Sequence, residues 1–190
     1  MARLLVLVCA ACTACAQAGA PTTGPTDAPP AHDSSKPIDA RPLDAAMESC
    51  AGTTTCQTAM DLGSVSGDTG NATVMTTGFR AGWYKVRVTE DDSSVFGVQL
   101  SFTVRLISPP AANYDVLVYI NTGSDVIECA QASGTVTTTG TTDSIYTLWG
   151  ESGTFSNGSD DSRTVSIEVR APTTGCSSAS PWQLQVQGNT

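Results

Sequence analysis

The stretch Phe96-Gly97-Val98-Gln99-Leu100-Ser101-Phe102-Thr103-Val104-Arg105-Leu106 puts an apolar side chain at every even position and a small or polar residue at every odd one. Successive side chains of an extended strand point to opposite faces, so a period of two sends one face into a core and the other into solvent. No helix produces it. The same alternation recurs in Tyr84, Val86 and Val88 against Lys85, Arg87 and Thr89, and in Val165, Ile167 and Val169 against Ser166, Glu168 and Arg170. It returns in Trp182, Leu184 and Val186 against Gln183, Gln185 and Gln187. Residues 113–121 are more apolar on both faces, as a central strand would be. Gly, Ser, Asp, Asn and the Pro109-Pro110 pair punctuate turns between these runs. Roughly eight or nine short strands at this spacing, without an amphipathic helical stretch, predict an all-β fold, an antiparallel jelly-roll-like β-sandwich.

Working outward, all eleven aromatic residues fall between Phe79 and Trp182, so residues 50–190 are expected to form one folded domain. Residues 16–49 carry Pro21, Pro25, Pro29, Pro30, Pro37 and Pro42 and no aromatic residue. Such a segment buries too little apolar surface to offset its ordering entropy and is expected to be a disordered, semi-stiff tether. Ahead of it, Arg3, the apolar run Leu4 to Val8 and the small residues around cysteine read as a bacterial export signal, too short for a spanning helix. Thr13-Ala14-Cys15 resembles the lipobox of bacterial lipoproteins, which implies a signal peptide over 1–15 and lipidation of Cys15, with Cys12 the alternative. Ala16 in place of an aspartate then implies an outer-membrane lipoprotein of the cell envelope. Ala16-Gln17-Ala18 supports a rival reading, cleavage by ordinary signal peptidase and soluble secretion.

Cys50, Cys56, Cys129 and Cys176 remain beyond the signal, and an even count in an exported domain predicts two disulfides. Of the three pairings, Cys50–Cys56 and Cys129–Cys176 are the expected ones, the first closing a small loop at the domain entrance. A zinc site lacks its ligands, since the domain has no C-x-x-C pair and the one histidine, His32, lies in the tether. That placement also removes Ser-His-Asp, Cys-His and H-E-x-x-H chemistry, so the chain is expected not to be an enzyme. A carboxylate-dependent carbohydrate-active enzyme is the alternative, drawing on Asp91-Asp92, Asp160-Asp161 or Glu168. No cofactor is required. Calcium is a candidate, with Asp91, Asp92, Asn157, Asp160 and Asp161 as hard oxygen donors, against the reading of both loops as solvated turns.

The net charge of −9, with Lys85 the only lysine beyond the tether, disfavours nucleic acid and anionic lipid headgroups as partners. Aromatic side chains are the other means by which a sandwich holds a partner. Trp83 shares a face with Lys85 and Arg87 and is a candidate stacking platform for a sugar ring, to be weighed against burial at an edge. Tyr146 and Trp149 are further candidates, and Trp182 belongs to the core.

Met60-Asp61-Leu62-Gly63-Ser64-Val65-Ser66-Gly67-Asp68, Gly82-Trp83-Tyr84-Lys85-Val86, and Asn113-Tyr114-Asp115-Val116-Leu117-Val118-Tyr119 resemble, in turn, the opening turn, first long strand and D-x-D-L-Y-V-Y segment of the bacterial pre-peptidase C-terminal domain. Residues 163–170 and 182–188 are similar to its closing strands. The resemblance spans most of 56–188, with Asn113 at the family's first acidic position. It implies a jelly-roll accessory module with a part in secretion, attachment or substrate binding. Together these readings lead to the expectation of a non-catalytic, lipid-anchored envelope protein. It displays a binding or structural module for a glycan or an envelope protein, with a purely structural role as the further alternative.

Overall fold

The computed structural model describes residues 50–92, 95–110, 112–136, 139–155, 158–173, 176 and 179–190. The expectations for the signal, Cys12, Cys15, the tether and Asn157 lie outside the described residues. A single 3-10 turn, Cys56–Thr58, precedes eleven strands among them: β1 Met60–Ser66, β2 Thr73–Gly78, β3 Gly82–Thr89, β4 Phe96–Gly97, β5 Leu100–Ile107, β6 Asp115–Tyr119, β7 Gly134–Val136, β8 Thr142–Trp149, β9 Gly153–Thr154, β10 Arg163–Arg170 and β11 Trp182–Gly188. Five strands form one sheet in the order β1-β3-β10-β6-β7 and four form the other in the order β2-β11-β5-β8. The two-residue strands β4 and β9 pair separately. The fold is a β-sandwich, with β1–β3 the one parallel pair among otherwise antiparallel ladders.

Alternation decides which faces meet. Tyr84, Val86 and Val88 of β3, Val165, Ile167 and Val169 of β10, and Val116 and Val118 of β6 are buried from the five-stranded side. Leu100, Phe102, Val104 and Leu106 of β5 and Trp182, Leu184 and Val186 of β11 meet them from the other side. Each such side chain contributes about 1.5–3 kcal/mol relative to exposure, so this one cluster carries the stability of the domain. The opening stretch is read correctly only from Leu100 onward. Phe96 is 54 % exposed and Val98 also lies open to solvent, because the ladder with β8 begins at Leu100, that with β11 at Phe102, and Phe96 pairs instead with Thr154.

Gly67 joins the layers where β1 ends. Its N–H donates to Thr89 O at 2.8 Å and its carbonyl accepts from Ser101 N at 2.7 Å, linking a strand of each sheet. A Cβ there would meet Leu100 and Val88 side chains at 2.8 Å, so only glycine allows the backbone this close.

The disulfides are Cys50–Cys176 and Cys56–Cys129, with Cα–Cα separations of 5.3 and 6.0 Å, which corrects the expected pairing. Cys50 lies beside the start of β3, where its carbonyl accepts from Ala81 N at 2.9 Å. Cys56 lies over Ser166, which is in register with Lys85. Four strand residues, about 13 Å, separate those levels along β3, beyond the ~7 Å that a disulfide bridges.

Candidate functional site

The acidic loops gather at the end of the sandwich where β3 runs out and β10 begins. Asp68, which sequence reading passed over, organises one of them: its carboxylate accepts from Asp91 N at 3.1 Å, Asp92 N at 2.9 Å and Ser66 Oγ at 2.9 Å. Asp91 in turn accepts from Thr89 Oγ1 at 2.8 Å. In the other loop Asp161 Oδ2 accepts from Glu151 N at 3.1 Å, Asp160 Oδ1 from Ser162 N at 2.8 Å, and Glu90 Oε2 from Asp161 N at 2.6 Å. Bonds from the Ser162 side chain and backbone hold the Asp160 carboxyl below its ordinary pKa. Arg163, buried at the start of β10, ties the loop down through Asp161 Oδ1 at 3.2 Å and the carbonyls of Ser162 and Thr122. Glu90, Asp92 and Asp160 line an acidic depression of about 250 Å³. Among the described residues no group of three or more His, Cys, Asp or Glu side chains is placed to hold a metal ion. The resolved arrangement is one of carboxylates fastening turns to backbone N–H groups.

On the outer face of the five-stranded sheet, Trp83 stands beside Lys85 and Arg87, as its parity in β3 requires. It is half-buried, its ring centroid 5.0 Å from that of Tyr119. Tyr119 Oη donates to Glu168 Oε2 at 2.7 Å, and Arg170 Nη2 reaches the same oxygen at 2.9 Å. Burial first, and then the Glu168 carboxylate, push the Tyr119 pKa up to about 12, so the phenol stays protonated. This Trp–Tyr–Glu–Arg cluster is assembled by register, Glu168 lying opposite both Trp83 and Leu117, and no single run of residues signals it.

The outer face of the four-stranded sheet differs. Across it run the rows Thr77, Gln183, Ile107, Thr142; Met75, Gln185, Arg105, Ser144; and Thr73, Gln187, Thr103, Tyr146. Arg105 is the one charged side chain in these rows, and Tyr146 is 54 % exposed. Trp149, the third aromatic candidate, is buried: its ring packs edge-on to Phe102 at 5.7 Å and its Nε1 donates to Asp161 O at 2.8 Å. It belongs to the core.

Fold and surfaces define a disulfide-stapled all-β module with an acidic loop end, one aromatic–ionic cluster and one flat, nearly uncharged sheet face. No family model matches the chain, and no curated protein matches it. Among solved structures it is similar to the 1.0 Å crystal structure of the pre-peptidase C-terminal domain of a collagenase from Bacillus anthracis. The identity is 8 % and the TM-score 0.38, with 67 % of this chain and 95 % of that one covered.

Proposed function

We propose that the chain is a non-catalytic display module, exported and held on the cell envelope through a lipid on Cys15, whose four-stranded sheet offers its outer face to a neutral glycan. The observation that carries this reading is the composition of that face. Gln183, Gln185 and Gln187 form a ladder of amides flanked by threonine and serine hydroxyls, with the Tyr146 ring at one side. Each amide offers two donors and an acceptor, and each hydroxyl one donor and two acceptor lone pairs, which is the vocabulary that pairs with sugar hydroxyls. An exposed phenol ring adds an apolar plane for a pyranose face. The near absence of charge selects against phosphate and other anionic polymers. Against an enzyme stands the use of the loop carboxylates as acceptors for backbone N–H groups.

A glycan and envelope-extract array tests the reading. The purified protein is expected to retain a neutral glycan, and Tyr146→Ala to weaken that binding by about tenfold, the worth of one ring contact at about 1.4 kcal/mol per decade. Equal retention by Tyr146→Ala moves the site elsewhere, and retention of nothing leaves a structural spacer. Fatty-acid labelling of the exported chain, expected to vanish in Cys15→Ser, tests the anchor.

A further inference from the structure

We propose that the cleft at the β2–β3 end of the sandwich binds a small carboxylic acid with an apolar body, the Tyr84 hydroxyl donating to the ligand from the cleft floor. The proposal is independent of the glycan-face reading. The cleft holds about 300 Å³, at the lower end of the ~300–1,000 Å³ of small-molecule sites. Met60, Phe79 and Ala81 give it apolar walls, Thr54 lies at one side, Arg80 at the lip and Tyr84 within. Met60 and Phe79 are both half open to solvent at the cleft.

The floor carries the argument. Tyr84 is only 8 % exposed, and among the described residues its hydroxyl makes no hydrogen bond. Its ring is fixed edge-on against Trp182 at 5.6 Å, which holds the hydroxyl at the cleft. A Cβ built on Gly82 would sit 3.1 Å from Tyr84 Oη and 3.3 Å from Thr54 Oγ1, which places both hydroxyls around Gly82 in the cleft. Thr54 Oγ1 accepts from Trp83 N at 2.7 Å and keeps its own proton to donate. Burial raises the Tyr84 pKa, so this phenol is a donor throughout the physiological range. The hydroxyl faces the cleft, where a ligand oxygen can take the place of water as its acceptor.

The walls are already in position. Tyr114 Oη donates to Phe79 O at 2.6 Å, Trp182 Nε1 to Arg80 O at 3.0 Å, and Ala81 N to Cys50 O at 2.9 Å. Three inward-drawn backbone bonds hold the β2–β3 turn, and the Cys50–Cys176 bridge holds the segment that supplies Thr54. Arg80 stands at the lip as the one charged lining residue. Two hydroxyl donors and apolar walls suit a carboxylate on a ring or a branched chain. A free acid and the C-terminal residue of a peptide present the same chemistry.

Methionine-methyl NMR on the purified, oxidised chain tests this, with phenylacetate and the peptide acetyl-Gly-Gly-Phe as separate probes. The Met60 methyl is expected to move saturably with at least one of them, at a dissociation constant on the order of millimolar for so small a ligand, while Met75, on the outer face of β2 beside Gln185, stays put. Saturation by phenylacetate identifies free acids as sufficient, and saturation by the peptide alone identifies a chain terminus. Tyr84→Phe keeps the ring against Trp182 and should weaken binding three- to tenfold, the worth of one hydrogen bond. If that variant fails to fold, Phe79→Ala removes a wall from an exposed position and should weaken binding by a similar factor. A stationary Met60 at 20 mM of both probes, Met60 and Met75 moving together, or undiminished affinity in the folded variant overturns the proposal.

Discussion

Replacing Cys56 and Cys129 together by serine should lower the melting temperature by roughly 10–15 °C, the larger loss of the two possible disulfide deletions. The closed loops span 73 and 126 residues, and the unfolded-state entropy of closing them differs by only about 0.5 kcal/mol in favour of the longer one. Burial therefore decides. Cys56 is buried, its sulfur 3.6 Å from the hydroxyl of Ser166, a serine with no exposed surface in the middle of the outer sheet face. The partner end is equally built: Glu128 accepts from the N–H groups of Cys129, Ala130 and Gln131 at 2.9, 2.7 and 3.1 Å, which holds its carboxyl below the ordinary range, the Ala130 bond foremost. Losing this staple forfeits the entropy and also uncovers Ser166. A total of about 3–5 kcal/mol follows, at some 3–4 °C per kcal/mol for a domain of this size. Cys50 and Cys176 are less buried, and their replacement should cost about 1 kcal/mol less, the larger loop entropy offsetting part of the difference in burial. Melting curves of the two double variants check the order, and non-reduced peptide mapping checks the linkage. A smaller loss in the Cys56/Cys129 variant, or a peptide joining Cys50 to Cys56, would refute the account.

Parity was legible in the sequence and register was not. Every inward side chain of β3, β10 and β11 could be read from a period of two, because those strands have one face in the core and the other outside it. Residues 142–149 gave no such signal, since Asp143 lies inside and Leu148 outside, and so Trp149 at the end of β8 looked available when it is buried. The Phe96 alternation overran its strand because Gly97 and Gln99 continue the pattern past the point where the partners stop. A pattern of side chains reports a face, but only a neighbour's position ends a ladder.

The same limit governs the sites. Trp83 is legible as an outward-facing residue from its strand alone, and Tyr146 only as a candidate aromatic. Their surroundings are not, because Glu168 and Tyr119 reach Trp83 through two register choices, and the Thr–Gln–Thr–Tyr row through three. The expected disulfide pairing fails for a related reason: the five residues between Cys50 and Cys56 suggest a small loop only if the chain turns, and here it advances along β3. Asp68 stood in a stretch noted for its resemblance, yet nothing local shows that its carboxylate gathers the backbone of Asp91 and Asp92, more than twenty residues away.

Trp182→Ala should destabilise the domain by about 3–5 kcal/mol, the usual range for deleting a large buried ring. Trp182 has no exposed surface, packs on Tyr84 at 5.6 Å and Tyr114 at 6.4 Å, and donates its indole N–H to Arg80 O at 3.0 Å. Its benzo ring lies directly over Gly78, so a Cβ at that position would overlap Trp182 Cζ2. Gly78→Ala should therefore cost about 1–3 kcal/mol by overpacking. The two effects share one space, which makes them separable by a cycle. Trp182→Phe removes the atoms that overlap a Cβ at 78 while keeping an aromatic ring, so in that background Gly78→Ala should cost less, with a coupling of about 0.5–3 kcal/mol. Denaturant unfolding of the four proteins measures it. Additive losses would mean that Gly78 is required by its backbone alone, and the ring would not be what holds β2 against β11.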